Sequence, residues 1–208
     1  MRLVVTKTSL KLFLRWTQRV LFGAAVAMLA YCGFVVMDAW TFQKEEGRQL
    51  ERLVTERKQA NGKARQTAAL GSPEYSSPVM PGLIGRIEIP RLGLSVIVME
   101  GTSRTTLRRA AGHISSTALP GQAGNTGISG HRDTFFRPLQ NIRQNDIITL
   151  TTLLGQYRYR VVSMMVVSRY DVEVLDPTGS EILTLVTCYP FYFVGSAPSR
   201  FILRAERV

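Results

Sequence analysis

The pattern of apolar and polar positions divides this chain into regions with different periods. Val20 to Met37 is an unbroken run of eighteen uncharged residues, flanked by Trp16 and Trp40. It is long enough to cross a bilayer core as a helix, and tryptophans suit both interfaces. From Thr41 to Ala69 the chain is rich in Glu, Lys, Arg and Gln, with few apolar positions (Leu50, Leu53, Val54) and no sustained heptad. This reads as a helical or partly disordered stalk. Residues 71–82, GSPEYSSPVMPG, carry the Ser/Pro/Gly density of an irregular linker.

After the linker the period shortens to two. Alternation predicts a strand over 84–89, and after a turn at Pro90-Arg91-Leu92-Gly93 residues 94–100 read as a second strand. Residues 105–111 read as one short helix. A glycine-rich turn, 121–130, leads into a short strand ending at His131. Residues 137–142 suit a helical turn. A hairpin is expected from 146–152 and 156–167 around Leu154-Gly155, and 182–187 and 201–207 complete the set. Seven or eight short strands with turn signals argue for an all-β barrel or sandwich. The boundaries are 1–19 for a basic N-terminal segment, 20–40 for the span, 41–82 for stalk and linker, and 83–208 for the domain. At about 126 residues that domain can bury a real core.

Charge gives the span a direction. Arg2, Lys7, Lys11, Arg15 and Arg19 precede it unopposed by any acid, whereas the residues after it are mixed in sign. The positive-inside rule puts the N-terminus in the cytoplasm and the domain outside. A cleaved signal peptide ending in Ala25-Val26-Ala27 would leave a short apolar core before the cut. A lipoprotein anchor at Cys32 would place bulky Tyr31 where a small residue belongs. A stable single-pass anchor is the preferred reading. The net charge of +11 is thereby partly topological. Within 83–208 fourteen basic residues face nine acidic ones, and all fourteen are Arg. This excess suits an exterior facing an anionic membrane or wall polymer, and nucleic acid is not expected as a partner.

Cys32 and Cys188 are the two cysteines, so the domain holds a single thiol and no internal disulfide. Cys188 closes the run Ile182–Thr187 and is followed by Tyr189-Pro190, which places it where a strand gives way to a loop. Arg200 lies twelve residues on. A thiol beside a cation suits an activated nucleophile, although the same window also suits an inert core cysteine. His131 sits at a strand end after a permissive glycine turn, beside Arg132 and two residues before Asp133. A histidine within reach of a thiol supplies the proton exchange that cysteine catalysis requires. The other histidine, His113, reads as structural, and Asp133 as a solvated loop residue. His113, His131 and Cys188 lack metal-ligand spacing, so no metal and no cofactor are expected.

Taken in order, Gly130-His131-Arg132, Leu185-Val186-Thr187-Cys188 and Arg200 resemble the signature elements of sortases, the membrane-anchored cysteine transpeptidases of bacterial surfaces. The resemblance extends to Pro120-Gly121 and Gly124-Asn125. The Thr-Cys-Tyr-Pro-Phe context is most similar to class D. It implies an eight-stranded β-barrel with short helices, preceded by one transmembrane helix. It implies Cys188 as nucleophile, His131 as general acid/base, Arg200 as substrate and oxyanion clamp, and Thr187 as a substrate-binding position. The implied reaction cleaves an LPxTG-like sorting motif through a thioacyl-enzyme. The partners are proteins bearing a C-terminal sorting signal and an amine acceptor on peptidoglycan or a pilin. Two alternatives compete. A caspase-like protease would share the His-before-Cys order but needs a QACxG motif, which is absent around Cys188. A membrane-tethered, non-catalytic β-domain binding an envelope polymer or partner would leave Cys188, His131 and Arg200 scattered.

Overall fold

The structure, a computed structural model, describes residues 7–64, 82–193 and 195–208. The expected linker at 71–82 lies outside them except for Gly82, as do the last residues of the expected stalk. The chain divides into two compact units, with the boundary between Thr41 and Phe42. The first helix, α1, covers Lys7–Ala64. Its apolar 18-residue window has a mean hydropathy of 2.3, and none of it is buried inside the protein. Among the described residues this is the one helix long and apolar enough to cross a membrane, and it fits a single-pass anchor.

Eight strands form a closed barrel: β1 (Leu83–Ile89), β2 (Leu94–Glu100), β3 (Ala111–His113), β4 (Gly124–Ser129), β5 (Ile147–Thr152), β6 (Gln156–Ser168), β7 (Glu181–Tyr189) and β8 (Ser199–Arg207). The order around the barrel is β1-β2-β3-β4-β7-β8-β6-β5, closed by pairing of β1 with β5. Pairs β2–β3 and β4–β7 are parallel, and the others are antiparallel. Closure leaves no open sheet edge to pair with another chain.

The period-two pattern explains which side chains face inward. Strand β1 alternates without exception, burying Leu83, Gly85, Ile87 and Ile89. Ile87, Ile89, Val96, Val98, Ile128, Ile148, Leu150, Tyr159, Leu183, Leu185 and Leu203 line one continuous core. Tyr159 is its one large polar member. Its hydroxyl donates to Glu181 Oε1 at 2.6 Å, and burial pushes the phenol pKa well up, reinforced by that carboxylate.

Two expectations are corrected by tertiary pairing. The helix expected at 105–111 is α2, Arg104–Arg109, capped by Ser103, whose side chain accepts from Thr106 N. It stops there because Ala110 and Ala111 are fully buried, and 111–113 pairs with both β2 and β4 as β3. The glycine-rich turn at 121–130 is mostly strand: β4 begins at Gly124 and is buried along nearly its whole length.

Within the second unit, the helical residues after Phe42 pack on the barrel. Leu50 joins Leu83 and Ile97 in a small apolar cluster. Gln43 Oε1 accepts from Ile97 N at 2.8 Å, and its Nε2 donates to Arg109 O at 2.6 Å. Ile97 precedes the β2–β3 pairing, so Gln43 satisfies a strand N–H that the neighbouring strand does not reach. Arg86 pairs with Glu51 at 2.8 Å across the same contact.

Candidate active site

The barrel register brings three distant chain segments to one end. In the β7–β8 pair, Cys188 stands opposite Arg200. Residues directly opposite in an antiparallel pair share a face, with Cβ atoms about 4.5–5.5 Å apart. The twelve-residue spacing in sequence thus becomes a cross-strand contact.

The histidine arrives through the parallel β4–β7 pair. Ser129 is level with Val186, and Gly130 N continues the ladder by donating to Val186 O at 3.1 Å. His131 and Cys188 each lie two residues beyond that last pair. Thr187 is buried, and its hydroxyl donates to Gly130 O at 2.7 Å. This bond ties the residue before the thiol to the residue before the imidazole. Cys188 is partly buried, as is Arg200, and His131 is exposed. A partly open thiol is the state in which reactive cysteines are found.

Gly130 is required by packing. A Cβ there would lie 2.7–2.9 Å from the ring of Phe136, which is fully buried. Phe136 N donates to His131 O at 3.0 Å, closing the turn that follows the histidine. The glycine therefore lets a core aromatic seat directly under the His131 segment.

The remaining residues singled out in the sequence are distributed as follows. His113 is buried, with Nδ1 2.8 Å from Glu100 Oε2 and Nε2 3.1 Å from Ala118 O. Both ring nitrogens are used in holding β2, β3 and the turn after β3. Asp133 is exposed. Asn125 holds the β6–β7 connection: Nδ2 donates to Val174 O at 3.1 Å and to Asp176 O at 3.3 Å, and Oδ1 accepts from Thr184 at 2.6 Å. Among the described residues no three His, Cys, Asp or Glu side chains converge as a metal site.

Sequence reasoning gave Arg132 no role. It is only 9 % exposed, and its Nη2 donates to Phe193 O at 2.6 Å and Gly195 O at 2.9 Å in the β7–β8 loop. The signal in the sequence was its place beside His131 in the Gly130-His131-Arg132 element.

Residues 87–208 match the family model described as a sortase domain, more than half of the chain. The chain belongs to the sortase family. Sortase D of Bacillus subtilis (strain 168) is 28 % identical over 187 residues, covering 89 % of this chain and 94 % of that protein. Sortase A of Listeria monocytogenes is 31 % identical over 110 residues, covering 51 % of this chain and 49 % of that protein. Among solved structures, a Clostridium perfringens sortase D5 transpeptidase superposes with a TM-score of 0.60 at 25 % identity, covering 77 % of this chain and 94 % of that one. A lid mutant of sortase A from Corynebacterium diphtheriae gives 0.56 at 30 % identity, covering 65 % and 74 %. The class D resemblance read from the sequence stands with these relatives, and so does the barrel. Members of the sortase family are transpeptidases.

Proposed function

We propose that this sortase is a membrane-anchored cysteine transpeptidase acting on proteins with an LPxTG-like C-terminal sorting motif. The observation that carries this reading is the register: one end of the barrel collects Cys188, Arg200 and the His131 segment from three separate strands. In this reading Cys188 Sγ attacks the scissile threonine carbonyl as its proton passes to His131. Arg200 steadies the oxyanion, acting with nearby backbone N–H groups. The C–N bond breaks, and His131 delivers the proton to the leaving glycine amine, leaving a thioester on Sγ. An amine of peptidoglycan or a pilin then attacks the thioester. The S–C bond breaks, an amide forms, and the amine's proton returns to the thiolate by way of His131. Thr187 supports the substrate end through its bond to Gly130, which fixes the relative height of thiol and imidazole.

The domain at 83–208 is the catalytic domain in this reading. It works outside the cytoplasmic membrane, held by the 20–40 span with the N-terminus inside. The test uses the full chain in detergent micelles with a sorting-motif peptide and a supplied amine. Mass spectrometry should find the thioacyl adduct on Cys188 and the amine-linked product, and Cys188→Ala should yield neither while staying folded. Unchanged product formation by Cys188→Ala would remove the cysteine mechanism. A folded wild type that binds the peptide without cleaving it would favour the non-catalytic binding domain.

A further inference from the structure

The loop between β7 and β8 is held by arginines along its backbone. Arg132 Nη2 takes the carbonyls of Phe193 and Gly195. Arg200 Nη1 takes those of Ala197, at 3.3 Å, and Ser199, at 2.9 Å. Four carbonyls at alternate positions are thus occupied by two guanidinium groups. Two ring contacts reinforce the first of these attachments. The Arg132 guanidinium lies 5.8 Å from the centroid of Phe193, and that of Arg137 lies 5.9 Å from the centroid of Tyr192. Both arginines belong to the segment that follows His131. The loop is therefore fastened to the histidine's segment at Tyr192, Phe193 and Gly195.

The burial of Arg132 sets it apart from the other arginines of that segment. Arg137 is exposed, while Arg132 is nine-tenths buried, and its hydrogen-bond partners are backbone carbonyls rather than a carboxylate. Nη1 is buried without a hydrogen-bond partner. Taking a guanidinium out of water with an N–H left over is costly. A chain that needed only to fill this space would do so with an apolar side chain. The carbonyls that Arg132 holds, Phe193 O and Gly195 O, lie on the same loop just before the two carbonyls that hold Arg200. Its guanidinium is bonded to Ala197 O and Ser199 O, so moving the loop moves the cation.

We infer that Arg132 is a positioning residue for the transpeptidation: it fixes the β7–β8 loop against the His131 segment and so sets where the Arg200 guanidinium stands relative to Cys188 and His131. The inference rests on the reaction proposed above. Its effect falls on the chemical step. Arg132 is buried beneath the loop, and small displacements of reacting groups lower rates steeply.

The test compares wild type with Arg132→Met, Arg132→Lys and Arg132→Ala, each as the full chain in detergent micelles. Peptide transfer to a supplied amine is measured alongside amide hydrogen exchange across 192–199. Arg132→Met should lower kcat by about 10- to 100-fold with KM changed little. It should also raise exchange in the loop while the barrel strands stay protected. Arg132→Lys should recover part of the rate, because an ammonium reaches one carbonyl but lacks the planar fork. Millimolar guanidinium, and not ammonium, should restore activity to Arg132→Ala. If Arg132→Met loses the barrel altogether, the lysine variant and the guanidinium titration decide the matter. A wild-type kcat in Arg132→Met overturns the inference. So does a loss that tracks unfolding and is not rescued, which assigns Arg132 to folding alone. A wild type that transfers no peptide overturns the proposed reaction itself, and the positioning role with it. That result is distinct from an active wild type with an indifferent variant.

Discussion

Cys188 stands directly opposite Arg200 in the β7–β8 register. If Arg200 clamps the oxyanion or the substrate backbone, its planar fork matters as much as its charge. Arg200→Lys keeps the charge and loses the fork. We expect kcat to fall about 100- to 1,000-fold, the usual loss for one oxyanion donor. Steady-state transfer of a sorting-motif peptide measures it. A rate equal to wild type would take Arg200 out of the clamp role.

His131→Ala should abolish nearly all turnover while still allowing slow alkylation of Cys188. In wild type the pH profile of kcat/KM should be bell-shaped, because one group must have lost its proton and another kept it. Peptide transfer and alkylation measured across pH give both readings. Full turnover by His131→Ala would point away from this histidine. His113 is the other imidazole in the chain, but it is committed to Glu100 and Ala118 O.

Leu50 is 1 % exposed, although it sits in a stretch dominated by charged and amide side chains. Its burial against Leu83 and Ile97 predicts that Leu50→Ala costs about 2–5 kcal/mol of domain stability, as for other buried leucines. Urea unfolding of the full chain in detergent, followed by the near-ultraviolet signal of the barrel tyrosines, would measure the change. A loss under about 0.5 kcal/mol, the range of ordinary surface substitutions, would mean that this helical contact does not share in domain stability.

Asp146 is buried and bonded to Arg91, and that hydrogen bond holds its carboxyl below the usual aspartate range, aided by the Arg143 backbone N–H. A carboxylate depressed in the folded state contributes stability that is complete above the unfolded pKa, about 3.9. The contribution is lost as pH falls from there toward the lower folded value. Asp146→Asn should therefore lower Tm at pH 7 and flatten the decline of Tm below about pH 4. Thermal scans across pH check this, and parallel curves for the two proteins would contradict it.

The five unopposed basic residues before Val20 predict an anchor with its N-terminus inside. Protease added outside intact cells, or outside spheroplasts where an outer membrane exists, should digest the 83–208 domain or its linker and spare an N-terminal tag. The reverse pattern of protection would invert the assignment.

By itself the sequence determined the features set by local chemistry. The uncharged run at 20–37 made a membrane-length helix. Short apolar or alternating runs gave strands close to β1, β2, β5, β6, β7 and β8, and in β1 the alternation in residue order is the burial pattern itself. The motifs around His131, Cys188 and Arg200 carried the family. Tertiary structure decided what depends on partners distant in the chain. Ala111-Gly112-His113 carries no readable alternation, and it is a strand because β2 and β4 lie on either side of it. The glycines of 124–130 read as a turn locally, yet 124–129 is strand β4, held between β3 and β7, and Gly130 just beyond it packs closely on Phe136. Leu50 looks isolated in a polar helix until Leu83 and Ile97 cover it. Arg132 is one arginine among fourteen in the domain, and only the folded β7–β8 loop supplies the two carbonyls that distinguish it. Burial and hydrogen-bond partners at long sequence separation belong to the closed barrel as a whole, and no local window of residues contains them.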